Sequence, residues 1–155
     1  MSLASLLAEG RLRAHTTSAR EIADLMRVVE RDLADAQVTG LSADRRFATA
    51  YNAALQLATI VLHAAGYRAT GAGHHWGTLQ VLPEILGAGT QVRADYFDRC
   101  RAKRNTTDYD RAGEIAESEA AEIITETCTF LDDVVTWLKK HHSRLVLGTI
   151  RPGKR

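Results

Sequence analysis

Phe47-Ala48-Thr49-Ala50-Tyr51-Asn52-Ala53-Ala54-Leu55-Gln56-Leu57-Ala58-Thr59-Ile60-Val61-Leu62-His63-Ala64-Ala65 is apolar around much of its girth when wound as a helix. Phe47, Ala50, Tyr51, Ala54, Leu55, Ala58, Val61, Leu62 and Ala65 recur at three- and four-residue spacing, the period of a buried helical stripe. A helix this apolar belongs inside a bundle rather than on its rim. Its alanines allow neighbouring helices to come close. Ser42 supplies an N-cap and Gly66 a C-cap.

Working outward, the flanking segments repeat the helical period. Upstream, Ile22, Leu25, Met26, Val29, Leu33 and Ala36 mark an amphipathic helix that ends near Thr39-Gly40. Thr16, Thr17 and Ser18 are its N-cap candidates, and Glu21 stands three residues after Ser18 as in a capping box. Ser2 to Leu12 reads as a short helix with Leu3, Leu6 and Leu7 on one side. Downstream, Tyr67 to Gly77 reads as a glycine-rich loop, and Thr78 to Leu86 as a short helix limited by Pro83. A further helix starts at Gln91 and turns Val92, Tyr96, Phe97 and Cys100 inward. A turn near Arg111 to Ile115 follows. The longest helix, Glu117 to His142, carries Ala120, Ile123, Ile124, Thr127, Leu131, Val134, Val135 and Leu138 on its apolar stripe. No hairpin signal, strand pairing or repeat is evident. The expectation is an all-α, up-and-down helical bundle of three long and two shorter helices.

The 155 residues suggest a single domain, 1–155, with a short basic tail over 145–155. A formal charge of +1 gives no global pull toward nucleic acid or membrane. No apolar run approaches the ~20 residues of a membrane span, and the N-terminus lacks a signal-peptide layout. Cys100 and Cys128 form no close pair. They read as reduced packing thiols of a cytoplasmic protein rather than as a metal knuckle.

Polar chemistry concentrates in Cys100 to Arg111. This stretch holds four cationic side chains, two carboxylates, an amide, two threonine hydroxyls and a phenol. Asn105-Thr106-Thr107-Asp108 is poor helix-interior material, because short polar side chains compete for the backbone. The stretch therefore belongs at a helix end or between two helices, with its side chains reaching outward. Its cations either contact an anionic ligand or pair with the acidic start of the last helix. The histidines show no spacing that enforces a metal site. His63 reads as a hydrogen-bonded core or groove histidine, and His74-His75-Trp76 as an ordered connector or a base-stacking edge. No metal or cofactor is expected.

Arg104-Asn105-Thr106-Thr107-Asp108-Tyr109, followed by the long helix ending Phe130-Leu131…Val134-Val135…Trp137-Leu138, resembles the HEPN superfamily of small helical, nucleotide-binding domains. Ala65-Gly66-Tyr67-Arg68…Gly73-His74-His75 resembles a loop of its bacterial single-domain branch. Many members are metal-independent endoribonucleases, often in toxin–antitoxin or defence systems. Their signature is an arginine, a polar neighbour and a histidine a few residues on. Arg104 and Asn105 match the first two, and Tyr109 stands where the histidine is expected. The resemblance implies Arg101, Arg104, Asn105, Tyr109, His74 and His75 as contacts for RNA or a nucleotide. It also implies a homodimer, with a nucleotidyltransferase-type protein as a further partner. Histidine titrates near ~6.5 and tyrosine near ~10, so the binding half of the signature is kept and the proton-shuttling half is lost. The expected function is RNA, nucleotide or partner binding without robust nuclease activity. The alternatives are a ribonuclease using Arg104, Asp108 and Tyr109, and a purely structural bundle.

Overall fold

The central apolar run forms one unbroken helix in the computed structural model, which describes residues 2–71, 74–109 and 113–146, without the side chains of 74–76 and 106–109. The chain order is α1 (Leu3–Ala8), β1 (Leu12–Ala14), α2 (Ala19–Ala36), α3 (Ala43–Ala64), β2 (Tyr67–Ala69), α4 (His74–Gln80) and α5 (Leu82–Leu86). A 3-10 turn (Ala88–Thr90), α6 (Gln91–Tyr109), α7 (Glu117–His141) and a last 3-10 turn (Ser143–Leu145) complete it. The four long helices α2, α3, α6 and α7 make the all-α bundle.

Pairs of touching residues give the helix directions. Between α2 and α3, Ala36 meets Arg46, Asp32 meets Asn52 and Glu21 meets His63, so the two run antiparallel. Between α6 and α7, Lys103 meets Glu119, Phe97 meets Phe130 and Arg93 meets Asp133, again antiparallel. Asp44 and Arg46 at the start of α3 reach Ile115 and Glu117 at the start of α7, so α3 and α7 run the same way. The result is an up-down-up-down order. Helix α3 packs against α2, α6 and α7, and its buried residues lie on all sides. Ala50, Ala53, Ala54 and Ala58 are fully enclosed and leave room for those neighbours.

Polar ties at the start of α3 fix the approach to α7. Asp44 accepts the backbone N–H groups of Gly113 and Ile115. Arg46 donates to the Ala36 carbonyl at 3.0 Å, at the negative end of α2, and its other arm meets Glu117 at 2.8 Å. Deeper in, the buried Asp32 carboxylate takes Arg31 at 3.1 Å and the Asn52 amide at 2.5 Å.

The structure departs from the sequence expectation in four places. First, β1 and β2 pair antiparallel, Leu12 opposite Ala69 and Ala14 opposite Tyr67. Three-residue strands are too short to show alternation, so only the fold reveals them. The N-terminal helix accordingly stops at Ala8, ahead of Gly10 in the left-handed region. Second, the expected loop ending at Gly77 is already helical from His74. Third, the segment Thr78 to Leu86 splits into α4 and α5, with Pro83 in the first turn of α5, where its missing N–H does no harm. Fourth, Val92 faces solvent at 78 % exposure. Ala94 is buried in its place, while Phe97 and Cys100 turn inward as expected. No helix among the described residues is long and apolar enough to cross a membrane.

Candidate functional site

The polar stretch occupies about the last three turns of α6, and the helix runs through Asn105 to Tyr109. Short polar residues are tolerated there because a terminal turn leaves its carbonyls without helical partners. Arg101, Arg104 and Asn105 are described with their side chains. Those of Asp108, Tyr109, His74 and His75, and all of Arg111, lie outside the described residues.

Arg104 stands over Tyr51 of α3, and the charge of Arg101 also acts on that phenol. The Arg104 guanidinium lies 5.7 Å from the centre of the Tyr51 ring, within cation–π range. Tyr51 is 1 % exposed, and its hydroxyl is buried without a hydrogen-bond partner among the described residues. Burial pushes its phenol up to about 12, against the opposing charges of Arg101 and Arg104. Tyr51 is therefore a neutral platform under the guanidinium. Arg101 is held on its own helix by Asp98 at 2.9 Å, and Asn105 is exposed. The sequence read Tyr51 only as core. It is core, and it also carries the motif arginine, a double role that helical periodicity does not reveal.

Lys103 meets the expectation of pairing with the acidic start of the last helix. It bonds Glu119, and that bond, with the N–H of Ala116, holds the Glu119 carboxyl below its usual range. A groove of about 560 Å³ runs between α6 and α7, lined by Val92, Arg93, Tyr96, Arg99, Glu122 and Glu126 among others. A neighbouring hollow of about 230 Å³ continues it to Lys103 and Glu119. Arg99 lies 5.9 Å from the Tyr96 ring at the junction. Burial raises the Cys100 thiol to about 11, which makes it a packing group and a poor nucleophile.

A family model described as SAV_6107-like HEPN matches residues 36–135. The chain belongs to the HEPN family. No curated protein and no solved structure matches it. The HEPN match runs from the last residue of α2 into the last turns of α7 and includes the whole of α6.

A second cluster lies at the other end of α3, and sequence reading missed it. Oε1 of Glu21 is 2.7 Å from His15 Nε2, 3.1 Å from His63 Nδ1 and 2.7 Å from the Thr17 hydroxyl. The two imidazole rings are 4.4 Å apart. Ser18 does cap α2, accepting the Glu21 N–H at 3.1 Å, but the Glu21 side chain turns to the histidines instead of closing a capping box. Burial pushes His63 below its ordinary value, with the Glu21 charge opposing. For Glu21, burial pushes upward, yet the hydrogen bonds of Thr17 and His15 and the histidine charges together leave it lowered. His15, just after a short strand, Glu21 and His63 have no fixed spacing. Only the fold could reveal them as a group.

Proposed function

We propose that this HEPN domain binds the phosphate backbone of single-stranded RNA at the end of α6 and does not cleave it efficiently. The observation that carries this reading is the Arg104 guanidinium set 5.7 Å from the centre of the Tyr51 ring. A guanidinium braced from beneath by an aromatic face is pre-oriented and can hold a phosphate through two parallel N–H donors. Asn105 beside it is exposed and offers a further donor. Tyr109 in place of the family's histidine removes the group that would move protons near neutrality.

Helical register separates positions 104 and 109 by about 140° around the axis and about 7.5 Å along it. The two act on one RNA across the helix end, or across two copies of the motif. The second arrangement fits the homodimer that the family resemblance implies. Lys103 and Arg46 are already committed to Glu119 and Glu117 within the chain, so pairing of those charges between copies does not drive it.

Arg104→Ala is expected to weaken association with a labelled single-stranded RNA and to lower the slope of log affinity against log salt by about 0.7, the loss of one phosphate contact. Arg104→Lys keeps the charge and should keep the slope. Anisotropy titrations at several salt concentrations read both. An unchanged slope in Arg104→Ala would remove the phosphate-binding role.

A further inference from the structure

The His15, Glu21 and His63 cluster is distinct from the α6 site. His63 lies twelve residues along α3 from Tyr51, about 18 Å at the helical rise. Its three members come from three elements. His15 follows β1, and its N–H is fixed on the Gly66 carbonyl at 2.8 Å. Glu21 stands in the first turn of α2, and His63 in the last turn of α3. The small sheet thus has a local consequence: it holds the chain beside the exit of α3 and sets one imidazole against the other.

We propose that His15 Nε2, His63 Nδ1 and a Glu21 carboxylate oxygen form a binding site for a divalent transition-metal ion of the zinc type. The three ligand atoms all lie within 4.8 Å of one another. Around a tetrahedral zinc with bonds near ~2.0–2.1 Å, ligand atoms stand about 3.3 Å apart. The observed 2.7 and 3.1 Å call for opening by about half an ångström or less, and the two imidazole nitrogens, within 4.8 Å of each other, can adjust by side-chain torsion. Oε1 of Glu21 has three partners at hydrogen-bond distance, one more than an oxygen with two lone pairs accommodates. A cation shared with the imidazoles relieves that crowding. Thr17 then remains as the outer partner that orients the carboxylate.

The donor set selects the ion. Two imidazoles and one carboxylate suit zinc and its first-row neighbours, whereas magnesium and calcium prefer oxygen throughout. The side chains are 20 %, 37 % and 17 % exposed, so water can reach a fourth position. Arg68 of β2 acts on His63 through its charge and opposes a cation there. With a single carboxylate as counter-charge, this favours moderate affinity over the tight binding of a thiolate site.

The test is a calorimetric titration of chelator-stripped protein with zinc, with thermal melts in zinc and in magnesium. The expected result is one zinc per chain at micromolar affinity. The melting temperature should rise by several degrees in zinc but not in magnesium, because the ligands come together only in the folded chain. Glu21→Gln, which keeps a carbonyl for Thr17, should lose at least about tenfold in affinity. His15→Ala should lose the melting shift, with its helical circular dichroism preserved. A double variant His141→Ala/His142→Ala should bind as the parent does. Absence of stoichiometric binding by the parent overturns the proposal. So does binding that survives Glu21→Gln and His15→Ala unchanged, since zinc would then be held elsewhere.

Discussion

Tyr109→His is expected to raise metal-independent cleavage of single-stranded RNA by about a hundredfold or more over the parent chain. Positioned general acid–base catalysis contributes about 10²–10⁴-fold, and its efficiency peaks when the group titrates near the working pH. An unperturbed phenol at ~10 is almost wholly protonated at neutrality, whereas an imidazole at ~6.5 is divided between both forms. The substitution thus supplies a proton acceptor where the domain holds only a donor. Arg104 would keep the phosphate in place, so adding Arg104→Ala to Tyr109→His should return the rate to the parent level. Tyr109→Phe should give no gain. These four proteins and Arg104→Ala alone should be assayed on one labelled RNA with chelator present, which also separates this chemistry from any zinc at the His15 cluster. Strong cleavage by the parent, abolished by Arg104→Ala, would show instead that Tyr109 serves the reaction as it stands. No change on introducing the histidine would remove position 109 from the site.

Phe130→Ala should lower folding stability by about 3–5 kcal/mol, the usual cost of emptying a buried aromatic position. Phe130 is fully buried in α7. Its ring centre lies 5.6 Å from that of Phe97 on α6, and the Arg93 guanidinium stands 5.1 Å from it. Arg93 in turn bonds Asp133 at 2.9 Å. Truncation removes the ring from the α6–α7 seam and leaves Arg93 without its aromatic support. Little collapse can fill the gap, since Phe97 is itself fully buried. Denaturant unfolding followed by circular dichroism measures the loss. A change below about 1.5 kcal/mol would show that the seam repacks freely.

Helical periodicity is a local property, and this fold is legible wherever local pattern and burial coincide. The stripe from Phe47 to Val61 placed α3 at the centre, Ser18 and Ser42 marked helix starts, and Glu117 marked the longest helix to within one residue at its end. Val92 misled because it lies on the open, groove-lining side of the first turn of α6, while Ala94 two residues on faces the bundle. Apolar character alone does not give direction. The strands escaped notice because Leu12 and Ala69 are joined by pairing across more than fifty residues of chain, not by alternation. Of the candidate site, Arg101, Arg104 and Asn105 could be read as a cationic helix end. The platform beneath them could not, since it depends on the crossing of α3 and α6. His15 and Glu21 gave no signal because their partner His63 belongs to another element.

The antiparallel ladder between α2 and α3 also implies an order of assembly. Its contacts close a hairpin across the six-residue link 37–42, so the entropy lost in forming them is small. Contacts of α3 with α7 span about seventy residues, as between Arg46 and Glu117. The hairpin should therefore be formed in the transition state while α7 docks afterwards. On that basis Phe130→Ala accelerates unfolding and leaves the folding rate nearly untouched, whereas Val29→Ala in the hairpin slows folding. Stopped-flow chevrons with the opposite partition would place the nucleus at α7 instead. A late α7 also means that the end of α6, with its arginines, is presented in its final setting only once the last helix has closed over it.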